Sequence, residues 1–264
     1  MGMHIDTDDV ASAAGTRALL DQLDDSRMLS LGVLSGAELC MLGGAEHPVC
    51  WEALKDAWQQ LDPAGRQQLA ETGTARLLHR GLIEEQPAGR GVRALFFPAC
   101  YKPSAELAIL LSARESPASV IATHHESRSP GVVYFHRQGT IVEEIPERAG
   151  NGTAGAARSA LDVIFSYRLL TLAFAAEELA RWALKPVRAA RHQPAPPRLI
   201  CFSGGAESDS PQSYQLAMHG NGQQAHVEGP DVSANLDRQV LTRFMTDLVI
   251  KWTETANVTA AQTL

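Results

Sequence analysis

Three groups of side chains have residue types that could do chemistry. Cys40, His47 and Cys50 lie within eleven positions of one another. Thiolate and imidazole are zinc ligands, but a structural zinc site needs four of them, often as two close pairs. No second CxxC or HxxxH pair exists. The expectation is buried structural cysteines and no metal. The histidines form the second group. His124 and His125 are neighbours at a strand end, and neighbours on a strand point to opposite faces. His136, His219 and His226 fall on hairpins, where surface positions are the plain reading. The third group is acidic. Glu143-Glu144 on a strand face opposite ways, and Glu177-Glu178 sit on a helix as a solvated edge.

Motif by motif, nothing here builds an active site. Gly152-Thr153-Ala154-Gly155-Ala156-Ala157 is not a full G-x-G-x-x-G, and no βαβ unit surrounds it. No phosphate loop of the G-x-x-x-x-G-K-[ST] type occurs, and no G-x-S-x-G elbow. Phe202-Ser203-Gly204-Gly205 reads as a strand-end turn. The residues therefore point to a non-enzymatic protein with no catalytic, cofactor or metal site.

Composition agrees with a globular binding protein. The chain has 264 residues, 45% of them apolar, enough for a buried core. Its net charge of −7 argues against general nucleic-acid binding through phosphate contacts. Arginine dominates over four lysines, Lys55, Lys102, Lys185 and Lys251, as in a GC-rich bacterial genome. Four cysteines are too few for a secreted disulfide scaffold. Residues 1–25 are acidic and lack the charge and apolar pattern of a signal peptide. No apolar run reaches the length of a membrane span. The cytoplasm is the expected compartment.

The elements that would position these residues make an α+β chain. Residues 1–27 read as a flexible acidic N-terminus, frayed or weakly helical. Residues 28–114 read as a helical, winged-helix-like region. In it, Met28–Leu42 is apolar with glycine breaks, and a helix covers about Pro48–Leu61. The next helix starts at Asp62-Pro63, with aspartate as N-cap and proline at the first position, and ends near His79 with Gly81 as C-cap. Leu82–Glu85 and Ala94–Phe97 are strand candidates, and Ser104 caps a helix to Arg114. Residues 115–184 form a first strand-hairpin-helix unit: strand Ser119–His124, hairpin Val132–Ile145, and an alternating stretch Val163–Leu170 before a helix to Leu184. Residues 185–197 are a Pro/Arg linker. Residues 198–252 repeat the pattern with strands Arg198–Phe202, Tyr214–His219 and Gln224–Val227. A helix follows over about Ala234–Trp252. Residues 253–264 are a tail. The two units are expected to be pseudo-symmetric, pairing their strands into an antiparallel sheet with the helices packed on it.

The string Arg76-Leu77-Leu78-His79-Arg80-Gly81-Leu82-Ile83 ends a helix and enters a two-stranded turn, as in a winged helix-turn-helix. That supplies the alternative function, a DNA-binding transcriptional regulator. Arg66, Arg76 and Arg80 would lie on the reading helix, and Arg90 and Arg93 at the wing tip. Glu71, Glu84 and Glu85 oppose close phosphates.

The order of elements resembles EspG, the cytoplasmic chaperone family of mycobacterial type VII secretion. The resemblance rests on the helix ending at Arg80-Gly81-Leu82-Ile83, the short helix at Pro103–Ala113, and two strand-hairpin-helix units, over about residues 30–250. It departs in the short Pro-rich segment between the units and in a second unit that looks shorter after Val227. The resemblance implies binding to a secreted client through sheet and loop surfaces, with no cofactor and no membrane. A non-catalytic partner in a bacterial biosynthetic complex is a further alternative. On the first hairpin, Tyr134 or Phe135, whichever faces outward, and Ile141 are the expected partner-binding residues. The loops Gly150–Ala157 and Gly204–Gln212 are expected to be exposed connections.

Overall fold

The structure, a computed structural model, describes residues 10–43, 51–86, 100–124, 131–137, 139–147, 160–186, 197–204 and 213–261. It is α+β. Nine strands form one sheet in the order β1-β7-β6-β5-β4-β8-β9-β10-β11, and β2 and β3 form a second, small one. The strands are β1 (Met28–Ser35), β2 (Ile83–Gln86), β3 (Cys100–Pro103), β4 (Ser119–His124), β5 (Val133–Arg137), β6 (Thr140–Pro146), β7 (Ile164–Thr171), β8 (Arg198–Gly204), β9 (Ser213–Gly220), β10 (Gln224–Gly229) and β11 (Val232–Asp237). The helices are α1 (Val10–Ser26), α2 (Gly36–Met41), α3 (Glu52–Gln59), α4 (Pro63–His79), α5 (Ala105–Glu115), α6 (Leu172–Leu184) and α7 (Arg238–Ala261). None of the described helices is long and apolar enough to cross a membrane.

The chain divides into two compact units. One comprises Met1–Asp25, Ser30–Glu115 and Pro146–Tyr167; the other Ser26–Leu29, Ser116–Ile145 and Arg168–Leu264. In the first, α2 opens with a capping box. The Ser35 hydroxyl accepts from Glu38 N, and the Glu38 carboxylate accepts from Ser35 N at 2.8 Å. Helix α4 starts on Asp62, whose carboxylate accepts from Gly65 N, with Pro63 first in the helix. It ends at Gly81, at φ +67°, where a side chain would be strained. There Leu82 N donates to Leu77 O and Gly81 N to Leu78 O, a Schellman motif. The chain then enters β2, antiparallel to β3.

The second unit holds the repeat. Strand β4 pairs antiparallel with β8, Ser119 opposite Gly204 and His124 opposite Leu199. The sheet runs outward from that pair as β5-β6-β7 on one side and β9-β10-β11 on the other. Each copy is therefore strand, hairpin, strand, helix: β4 to α6, and β8 to α7. The expected pseudo-symmetric topology is present. The second copy is not shorter, however. Strand β11 replaces the first turn of the expected final helix, and α7 begins at Arg238, with the Asp237 carboxylate accepting from Val240 N at 2.9 Å. Helices α6 and α7 pack on one sheet face. They bury Leu179, Ala183, Leu241, Met245 and Val249 against Ile121, Phe202, Leu216 and Val227. The Leu, Met, Val, Ile and Phe side chains among these each contribute roughly 1.5–3 kcal/mol when fully buried.

Candidate functional site

Polar groups of the second unit meet first beneath α6. Tyr134 stands opposite Glu143 across the β5–β6 ladder, and its hydroxyl donates to the Glu143 carboxylate. Arg168 on β7 closes the cluster through its Nε on Glu143 and lies 4.0 Å from Glu178 of α6, which also pairs with Arg181. Burial raises the Glu143 pKa, and Arg168 pulls the other way. Burial and the Glu143 charge hold the Tyr134 hydroxyl well above its usual range. Glu143 is 2% exposed and Tyr134 3%. Each group is occupied by its neighbours, so the cluster ties β5, β6, β7 and α6 together and has no room for a substrate.

This corrects the expected partner-binding residues. Tyr134, Phe135 and Ile141 are 3%, 0% and 0% exposed, so none presents a ring or chain to a partner. Tyr134 and Ile141 belong to the core under the helices. Phe135 points to the opposite face, aligned with Val120 and Val142 on its neighbouring strands, and all three are buried. In this half the sheet is covered on both faces.

His136 is a second buried feature of the helix face. It stands opposite Ser119, and neither ring nitrogen, nor the Ser119 hydroxyl, has a hydrogen-bond partner among the described residues. Burial lowers its pKa to about 4. Of the cysteines, Cys40 is buried, and burial raises the Cys201 thiol, the opposite of what a nucleophile needs. His47, Cys50 and His125 lie outside the described residues, as do the loop Gly150–Ala157 and residues 205–212. Among the described residues, no three His, Cys, Asp or Glu side chains converge to hold a metal ion.

The open surface lies on the second copy. On β9 and β10 the burial alternates: Leu216, Met218, Ala225 and Val227 face the helices, and Gln215, His219, Gln224 and Glu228 face solvent. His219 and His226 stand directly opposite each other, ring centroids 6.4 Å apart. The His226 Nδ1 lies 3.0 Å from Asn235 Oδ1. Its Nε2 lies 3.6 Å from the Glu228 carboxylate. The result is a polar face over β9–β11 that carries imidazole, amide and carboxylate groups. Period-two alternation carried this signal, and the expectation of surface histidines on the hairpins holds for His219 and His226 but not for His136.

In the first unit, the residues of the DNA-binding alternative are scattered in their roles. Arg66 Nη2 donates to Gln59 O at 3.0 Å, at the end of α3. Arg80 donates to Val33 O at 2.8 Å and to the buried Glu38 carboxylate at 2.9 Å. Both are therefore engaged in holding the fold. Arg76 is exposed beside a cleft of about 380 Å³ lined by Ser35, Glu38, Thr72, Gly73 and Asp162. Arg90 and Arg93 lie outside the described residues, as does the expected strand Ala94–Phe97. The strand partner of β2 is Cys100–Pro103. Comparison with family models, with curated proteins and with solved structures returns no match to this chain.

Proposed function

We propose that this chain is a non-enzymatic, cytoplasmic protein-binding module, similar in role to the EspG-type chaperones of type VII secretion, that holds a client protein on the open face of β9–β11. One observation carries the reading: the two copies share a topology but differ in what covers their far face. In the first copy that face is closed, with Val120, Phe135 and Val142 buried. In the second copy the corresponding face is open and lined by Gln215, His219, His226, Glu228 and Asn235. A sheet face that presents imidazoles, amides and carboxylates suits a polar protein surface, since complementary polar groups set specificity and encounter rate. Among the described residues the clusters around Glu143 and His136 are internally satisfied or sealed, which favours this face for recognition.

The test is to isolate the tagged chain with its bound proteins from native cells and identify them by mass spectrometry. Hydrogen exchange on the purified pair then locates the contact. Slowed exchange confined to residues 213–237 supports the reading. Slowed exchange only at α4 and β2–β3, or recovery of the chain without any protein partner, contradicts it.

A further inference from the structure

We propose that a second copy of this chain docks on the outer edge of β11, antiparallel, so that the sheet continues through a twofold axis into the copy. The proposal uses the edge of the sheet; Asn235, which lies on that edge strand, also borders the client face.

Strand β11 ends the nine-stranded order. Its inner edge pairs with β10 over six consecutive positions, from Gln224 opposite Asp237 to Gly229 opposite Val232, without a bulge. Among the described residues no backbone bond leaves Val232–Asp237 toward the outer side. Proteins usually blunt such an edge with proline, lysine, glycine kinks or bulges. The strand at the other end of the sheet, β1, carries a glycine in its interior, Gly32 at φ +101°. Val232-Ser233-Ala234-Asn235-Leu236-Asp237 has none of them.

The edge also carries an incomplete apolar rim. Val232 and Leu236 pack against the core but are only partly buried, and so is Phe244 on α7. Val240, one helical turn before Phe244, is 50% exposed. A neighbour seated on the edge would complete their burial.

Charge selects both the occupant and the register. Facing residues in an antiparallel pair must share a sheet face, so a twofold axis has to pass through a residue pair of like orientation. With Ala234 on the axis, Asp237 faces the second copy's Asp231, and two carboxylates oppose each other at both ends. With Asn235 on the axis, Ser233 faces the second copy's Asp237, a hydroxyl against a carboxylate. Arg238 then comes opposite Val232 of the copy and beside its Asp231. Both contacts occur twice by symmetry. Ala234 faces Leu236 on the helix side, and Asn235 faces itself on the open side. With Asn235 on the axis the edge is thus self-complementary in polarity and charge.

The test is the mass of the full chain by sedimentation and light scattering, over a concentration series up to about 100 μM. The wild type is expected to be a dimer at the upper end. Asn235→Lys and Asn235→Asp, each placing like charges face to face, are expected to weaken dimerisation about tenfold. An equimolar mixture of the two variants should recover dimers, because lysine then faces aspartate. Melting curves and circular dichroism that match wild type confirm that each variant is folded. A wild-type chain that stays monomeric, a dimer indifferent to both variants, or a mixture without recovery overturns the proposal. So does an edge that accepts an extended client segment in place of a second copy, seen as a monomer in which added client slows hydrogen exchange along Val232–Asp237 but not along β9.

Discussion

His136 should set the acid limb of the chain's stability. The ring is 1% exposed, stands between Ser119 and Ile141 on its neighbouring strands, and has no hydrogen-bond partner among the described residues. Burial lowers its pKa from 6.5 to about 4. In the unfolded chain the ring titrates near its ordinary value, so between those two values the unfolded state binds more protons. Stability is therefore at its full value above about pH 6.5 and falls as the pH drops toward 4. The gap of about 2.5 pH units, at about 1.36 kcal/mol per unit, is worth about 3 kcal/mol. That is a large share of a typical total of roughly 5–15 kcal/mol. His136→Leu keeps the volume, removes the titration, and removes two buried nitrogens that lack partners, so it should be neutral or stabilising at pH 7. Urea unfolding of both proteins, followed by tryptophan fluorescence from pH 7 to 4, measures the difference. The variant's advantage should grow by about 3 kcal/mol across the window. An advantage that does not change with pH would falsify the assignment, because the folded ring would then titrate as it does in water.

Two further outcomes follow from the first unit. Glu38→Ala removes the carboxylate half of the α2 capping box and the carboxylate that neutralises Arg80, so it should cost about 2–4 kcal/mol by chemical denaturation; a loss well under 1 kcal/mol would mean that water replaces the pair at no cost. Duplex DNA, followed by fluorescence anisotropy near physiological salt, should show no binding for wild type, Arg90→Ala or Arg93→Ala alike. Salt-sensitive binding to promoter DNA, weakened by either substitution, would restore the winged-helix regulator as the leading reading.

Local chemistry made part of this fold legible. Asp62, Pro63 and Gly81 delimit α4 because cap, first-turn proline and left-handed glycine each act over a few residues. The repeat was legible because strand, hairpin and helix recur at similar spacing in both copies. Strand β11 was not, because Leu236 fits two periods at once. It closes the alternation Val232, Ala234, Leu236, and it also opens the helical stripe Leu236, Val240, Phe244. Asp237 decides the matter as the N-terminal cap, and that signal was available in the sequence. Ser35 and Glu38 likewise spelled out the capping box of α2 inside a segment read only as apolar. The burial of Tyr134 and Phe135 together was a different kind of failure. Alternation says which residues share a face but not whether something covers it. Tyr134, Phe135 and His136 form a continuous buried run, as expected only for a strand covered on both sides. The pairing of Glu143 with Arg168 joins residues 25 apart in sequence and has no local signature.

The proposed protein-binding surface is the open face of β9–β11. Ala217 lies in the middle of it, facing Leu199 on one side and Glu228 on the other. The direct test is calorimetric titration of the client, once isolated, into wild type and Ala217→Arg, with a melting curve for each. The claim predicts at least tenfold weaker binding, a loss of about 1.4 kcal/mol, at an unchanged melting temperature. Equal affinity for the two proteins would contradict it.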